Sequence, residues 1–113
     1  MKKEPKILRP QINGTFQPFS VDGIRIGYFT VIEEVDCTEL LILKVFKRFR
    51  DKGYGSKIIQ EVVNQFHKKT ISLYVRRENK IAIHLYFKHG FWFDNTYKDE
   101  NKYKMVYNQN IIK

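Results

Sequence analysis

Residues 39–68 read ELLILKVFKRFRDKGYGSKIIQEVVNQFHK. Residues 39–46 are apolar apart from Glu39 and Lys44, a run long enough for a central strand. Residues 47–55 are polar, basic and punctuated by Gly53 and Gly55. From residue 56 to 68 the period changes: Ile58, Ile59, Val62, Val63 and Phe66 fall on one helical stripe. Strand, glycine-bearing basic loop and amphipathic helix therefore follow one another directly.

Upstream, residues 24–33 alternate, with Ile24, Ile26, Tyr28, Thr30 and Ile32 against Arg25, Gly27, Phe29, Val31 and Glu33. Apolar residues on both sides predict a strand covered on both faces. Asp22-Gly23 is a hairpin turn signal joining it to a strand at 15–20 that Pro18 weakens. Residues 1–14, with Pro5, Pro10 and Asn13-Gly14, read as an irregular lead-in, and 34–38 as a turn. Downstream come a short strand at 71–75, a connector at 76–80 and a helix at 80–88 that Gly90 ends. Strands at 91–97 and 103–108 flank the polar turn 98–102, and Trp92 and Phe93 are expected in the core or lining a substrate cleft. The order predicts one domain over residues 1–113, a mixed sheet with helices, α+β or open α/β.

Composition narrows the classes. At 113 residues a second sizeable core is ruled out. With 21 Lys+Arg against 12 Asp+Glu the net charge is +9, which points to an anionic partner. The basic residues are dispersed, densest at Lys44, Lys47, Arg48, Arg50, Lys52 and Lys57, so nucleic acid is not the favoured partner. One cysteine, Cys37, excludes an internal disulfide and has no evident His partner for nucleophilic work. His67, His84 and His89 lack zinc-type spacing, so no metal is expected. No stretch reaches the ~18 apolar residues of a membrane helix. A soluble cytoplasmic protein with no membrane partner is the expectation.

The loop before the helix carries the chemistry. A helix N-terminus offers amides without intrahelical partners and a partial positive charge. Gly53, Gly55 and Ser56, flanked by Arg50 and Lys52, make a diphosphate cradle, although a glycine pair before a helix is also an ordinary turn. Neither a P-loop nor a dinucleotide fingerprint is present. Two motifs separate these readings. Arg50-x-x-Gly53-x-Gly55, after a strand ending Leu43-x-Val45, resembles the acyl-coenzyme A signature R/Q-x-x-G-x-G/A of the GNAT N-acetyltransferase superfamily. Asn79-x-x-Ala82-x-x-x-Tyr86-x-x-x-Gly90-Phe91 resembles its second signature, in which an Asn and a Tyr flank the coenzyme thiol.

The resemblance covers residues 20–108 and implies a mostly antiparallel mixed sheet flanked by helices in three layers. It implies acetyl-CoA as co-substrate, bound through Leu43, Val45, Arg50, Asp51, Lys52, Gly53, Tyr54, Gly55, Ser56, Asn79, Ala82 and Tyr86. The acceptor it implies is a primary amine on a small molecule or protein. Asn79, Ala82 and Tyr86 share one helical face at i, i+3, i+7, and the small Ala82 leaves room for a pantetheine arm. Transfer needs an acid for the departing thiolate, a donor for the oxyanion and a base for the amine. The resemblance points to Tyr86 as the acid, and a backbone N–H on the central strand would serve the oxyanion. Glu39 matches the strand-opening Glu of the histone-acetyltransferase branch and is the candidate base, with Glu33 and Glu34 as weaker alternatives; alternation would put it on one face with Leu41, Leu43 and Val45.

Some positions depart from the pattern. The two helices usual between the first strands have no counterpart, which leaves apolar surface for a second copy, so a homodimer is expected. Lys47 replaces a frequent proline, and Asp51 stands where glycine or a small residue is common. The competing class is a non-catalytic basic module on the same fold, holding coenzyme A or nucleic acid without turnover. Transfer of another acyl group is a third reading.

Overall fold

A computed structural model describes residues 14–108. The lead-in expected before Gly14 lies outside the described residues. Strands β1 (Gly14–Val21), β2 (Ile24–Glu33) and β3 (Cys37–Val45) form an antiparallel meander. A 3-10 turn (Lys47–Phe49) leads to helix α1 (Tyr54–Phe66), then β4 (Thr70–Arg76), helix α2 (Lys80–Lys88), β5 (Trp92–Phe93) and β6 (Lys102–Tyr107). The sheet order is β1-β2-β3-β4-β6-β5. Only β3 and β4 run parallel, because α1 carries the chain back between them. The mixed α+β sheet expected from the sequence is the observed architecture.

The core lies between one sheet face and the two helices. Phe29, Val31, Leu40, Ile71, Leu73, Val75 and Met105 meet Ile58, Ile59, Val62 and Phe66 of α1. Ala82, Ile83, Leu85 and Tyr86 of α2 pack against the same cluster. The helical stripe read from the sequence is the buried face, with Val63 at its rim. β2, however, is not evenly covered. Gly27, Phe29 and Val31 are buried, whereas on the other side only Ile26 is buried, Tyr28, Thr30 and Ile32 are half-covered and Ile24 is exposed.

Local chemistry moves several boundaries. α1 begins at Tyr54, two residues earlier than the start expected at Ser56, because Gly53 caps it in the left-handed region at φ 86°. The strand expected at 91–97 shrinks to Trp92–Phe93, since Asp94 Oδ1 accepts from Thr96 N and Oγ and turns the chain. Trp92 and Phe93 are therefore exposed, 54% and 38%, and the core position belongs to Phe91. Trp92 packs instead edge-on against Phe87, with ring centroids 5.0 Å apart.

Candidate active site

The site is built on a fork in the sheet. β3 and β4 pair only from Cys37↔Thr70 to Leu40↔Leu73, although β3 continues to Val45 and β4 to Arg76. Each diverging half keeps its outer partner: β2 pairs with β3 through Val45, and β6 with β4 through Arg76. The inner edges beyond Leu40 and Leu73 thus offer backbone amides and carbonyls with no strand opposite, the arrangement an extended amide-bearing arm can complete. The divergence begins at a β-bulge. Val31 pairs with Leu40 and Thr30 with Ile42, so Leu41 is the extra residue on β3.

That bulge corrects the expected placement of Glu39. Leu40, Leu43 and Val45 face the helices, and Glu39, next to Leu40, faces the opposite side with Ser72 as its β4 neighbour. Alternation fails because two residues of β3 answer one step of β2. Burial, with Glu34 adding to it, pushes the Glu39 carboxyl above its ordinary value, while Lys104 and Lys102 pull it down. It is a partly buried carboxylate on the open face, close to where the fork begins.

The loop after β3 closes the other end. Arg50 Nε donates to Val45 O at 3.0 Å, pinning the loop to the strand end, so this arginine positions the loop through its Nε. Asp51 and Gly53 both sit at positive φ, 63° and 86°. The left-handed conformation at 51 explains why a glycine would suit that position. Lys57 N–H donates to Gly53 O at 3.4 Å, so the amides of Tyr54, Gly55 and Ser56 come before the first intrahelical bond. A Cβ on Gly55 would approach Leu85 Cδ2 to 3.3 Å, so this glycine also lets α1 and α2 approach. Lys52 is exposed, and Tyr54 stands edge-on to Phe49.

α2 supplies the second group. Asn79 Oδ1 accepts from Ala82 N at 3.2 Å, so Asn79 caps the helix. Tyr86 packs against Phe91, with centroids 5.9 Å apart, and burial pushes its phenol pKa up, keeping the proton on at neutral pH. One residue escaped the sequence reading. His89 Nε2 lies 3.0 Å from Ser56 Oγ and ties the α2 C-cap to the first turn of α1. Burial, with Lys88, lowers the His89 pKa. No spacing rule links residues 56 and 89, so nothing local could have found the pair.

A family profile described as the acetyltransferase (GNAT) family matches residues 5–91. The chain belongs to the GNAT acetyltransferase family. A comparison with curated protein sequences returned no match. Among solved structures, the PaiA N-acetyltransferase of Thermoplasma acidophilum, in complex with coenzyme A, is 25% identical with TM-score 0.72, over 92% of this chain and 67% of that one. A GNAT acetyltransferase from Elizabethkingia anophelis with acetyl-CoA bound is 16% identical with TM-score 0.75, over 91% and 82%. The ribosomal-protein-S18-alanine N-acetyltransferase of Escherichia coli is 18% identical with TM-score 0.73, over 95% and 77%. The last two similarities establish the fold. As a GNAT member the chain is an acetyltransferase, and its six-stranded sheet with two helices is the GNAT architecture. Among the described residues no helix is long and apolar enough to cross a membrane, and no His/Cys/Asp/Glu group could hold a metal ion.

Proposed function

We propose that this GNAT domain moves the acetyl group of acetyl-CoA to a primary amine. The observation that carries the reading is the fork between β3 and β4, with a glycine-capped helix N-terminus following the end of β3. The residues suit the coenzyme. Amides at 54–56 match a diphosphate, and the strand edge at 41–45, including Leu43 and Val45, which has no strand opposite it on the fork side, matches the amides of a pantetheine arm. Asn79 and Ala82 open α2 with a polar cap and a small side chain. Bound coenzyme supplies an activated acetyl thioester. Glu39 takes the proton leaving the amine, and Tyr86 holds a phenolic proton for the sulfur. A free alkylammonium has a pKa of ~10.4, so a base at the amine is chemically necessary near neutrality.

Thiol release measured over polyamines, amino sugars, amino acids and peptides tests the activity, and calorimetry with coenzyme A tests the cradle. Tyr86→Phe is expected to lower kcat about 10²–10⁴-fold with coenzyme affinity nearly kept. Unchanged kcat would take Tyr86 out of the acid role. Gly53 replaced by a bulky residue is expected to abolish coenzyme binding, and retained affinity would contradict the cradle.

A further inference from the structure

We propose that the open sheet face beside the fork receives the α-amino end of an acidic peptide, with Lys102, Lys104 and Tyr74 selecting its acidic side chains. This rests on the acetyl-transfer reading above.

The β4–β6 register sets Arg76 opposite Lys102 and Tyr74 opposite Lys104. Ser72, Tyr74 and Arg76 alternate with the core residues Ile71, Leu73 and Val75, so these cations share the face that carries Glu39. Like charges directly opposite each other across strands are destabilising, and of this pair it is Arg76 that has a carboxylate partner, in Glu78. Tyr74 is held by Tyr97, with centroids 5.1 Å apart, and the Lys102 and Lys104 ammonium groups each lie 5.9 Å from its ring centre. The nearby carboxylates are engaged. Asp99 accepts from Asn101 N, Lys102 N and Tyr97 Oη. Asp94 holds Thr96 and lies 3.7 Å from Lys104 Nζ. Glu78 binds Arg76 at 2.9 Å. Lys102 makes no ion pair with another described residue.

Two further observations select the occupant. The face is open: Leu41 and Ile42 on β3 and Tyr74 on β4 are exposed by 41%, 47% and 39%, an unwalled apolar floor parted by the fork that suits an extended chain better than a small molecule needing enclosure. An α-amine, with a pKa of ~7.7–8.0, also surrenders its proton more readily to a carboxylate than a side-chain ammonium does. Glu39 borders this floor and feels the charges of both lysines.

The test is steady-state acetyl transfer by the full chain, with coenzyme binding verified first. The acceptors are peptides with free α-amines that differ only in acidic, neutral or basic second to fourth residues, and free glutamate. The acidic peptide is expected to exceed the neutral one about tenfold in kcat/KM, an advantage that shrinks with salt. Lys102→Gln, at an exposed site, is expected to cut that ratio several-fold, and Lys102→Glu to move the preference toward the basic peptide. Equal rates for the three peptides, a basic preference in the wild type, or better use of free glutamate would overturn the inference and leave acetyl transfer standing. Coenzyme binding without transfer to any acceptor would overturn the enzymatic reading itself.

Discussion

Asp51 pays twice for its place in the loop. It adopts a left-handed backbone at φ 63°, and it brings a negative charge beside amides suited to phosphate. Asp51→Gly is therefore expected to tighten coenzyme A binding about 2–5-fold, as the ~0.3–1 kcal/mol of a charge near a helix N-terminus predicts; titration calorimetry reads it. Glu39 shows the opposite tension. Its carboxyl is raised above the ordinary value, chiefly by burial, so the folded state binds its proton more tightly than the unfolded chain does. Its stabilising contribution is present below the unfolded carboxylate pKa and is lost as pH rises through the higher folded value. Glu39→Gln is then expected to raise or keep the melting temperature at neutral pH while lowering kcat by about 10²-fold or more. The acid limb of the rate–pH profile should disappear with it. A variant that keeps both the rate and that limb would remove Glu39 from the base role.

At the scale of elements, the junction of β2 and β3 governs the fork. A Cβ on Gly27 would stand 2.0 Å from Lys44 O, a backbone atom that cannot swing aside. Gly27 pairs with Val45, whose carbonyl Arg50 holds. Gly27→Ala is therefore expected to push the strand ends apart, destabilise the fold by about 1–3 kcal/mol in denaturant titration and weaken coenzyme binding. The glycine's place in an alternating apolar segment was legible in the sequence. Its close neighbour was not, because the contact depends on the register of another strand. The ends of α1 tell a similar story. The apolar stripe was readable from its period, while the start at Tyr54 required knowing that Gly53 is left-handed.

For the molecule as a whole, the open sheet face divides into two regions. Beside β4 and β6 it is cationic. Beside β1 and β2 it is aromatic, with Phe16 against Tyr28 at 4.9 Å and Tyr28 against Phe46 at 6.1 Å. Phe16 and Ile24 are exposed by 54% and 56% among the described residues. The homodimer expected from the sequence would cover this second region, and light scattering is expected to give twice the chain mass. A single-chain mass at micromolar concentration would remove the dimer. Phe16→Ser, away from the fork, is expected to shift the mass toward one chain.

The sequence by itself determined the order of elements, the buried stripe of α1, the glycine-bearing loop and the two family signatures. These are local patterns, set by the periods of strand and helix and by the few residues that accept unusual backbone angles. Tertiary structure decided where the chain opens. The bulge at Leu41, where β3 parts from β4, turns Glu39 to the face away from Leu43 and Val45, and the packing of α1 on α2 brings Ser56 to His89. Each of these follows from pairing or packing between residues distant along the chain, and no period within a single segment encodes such a register.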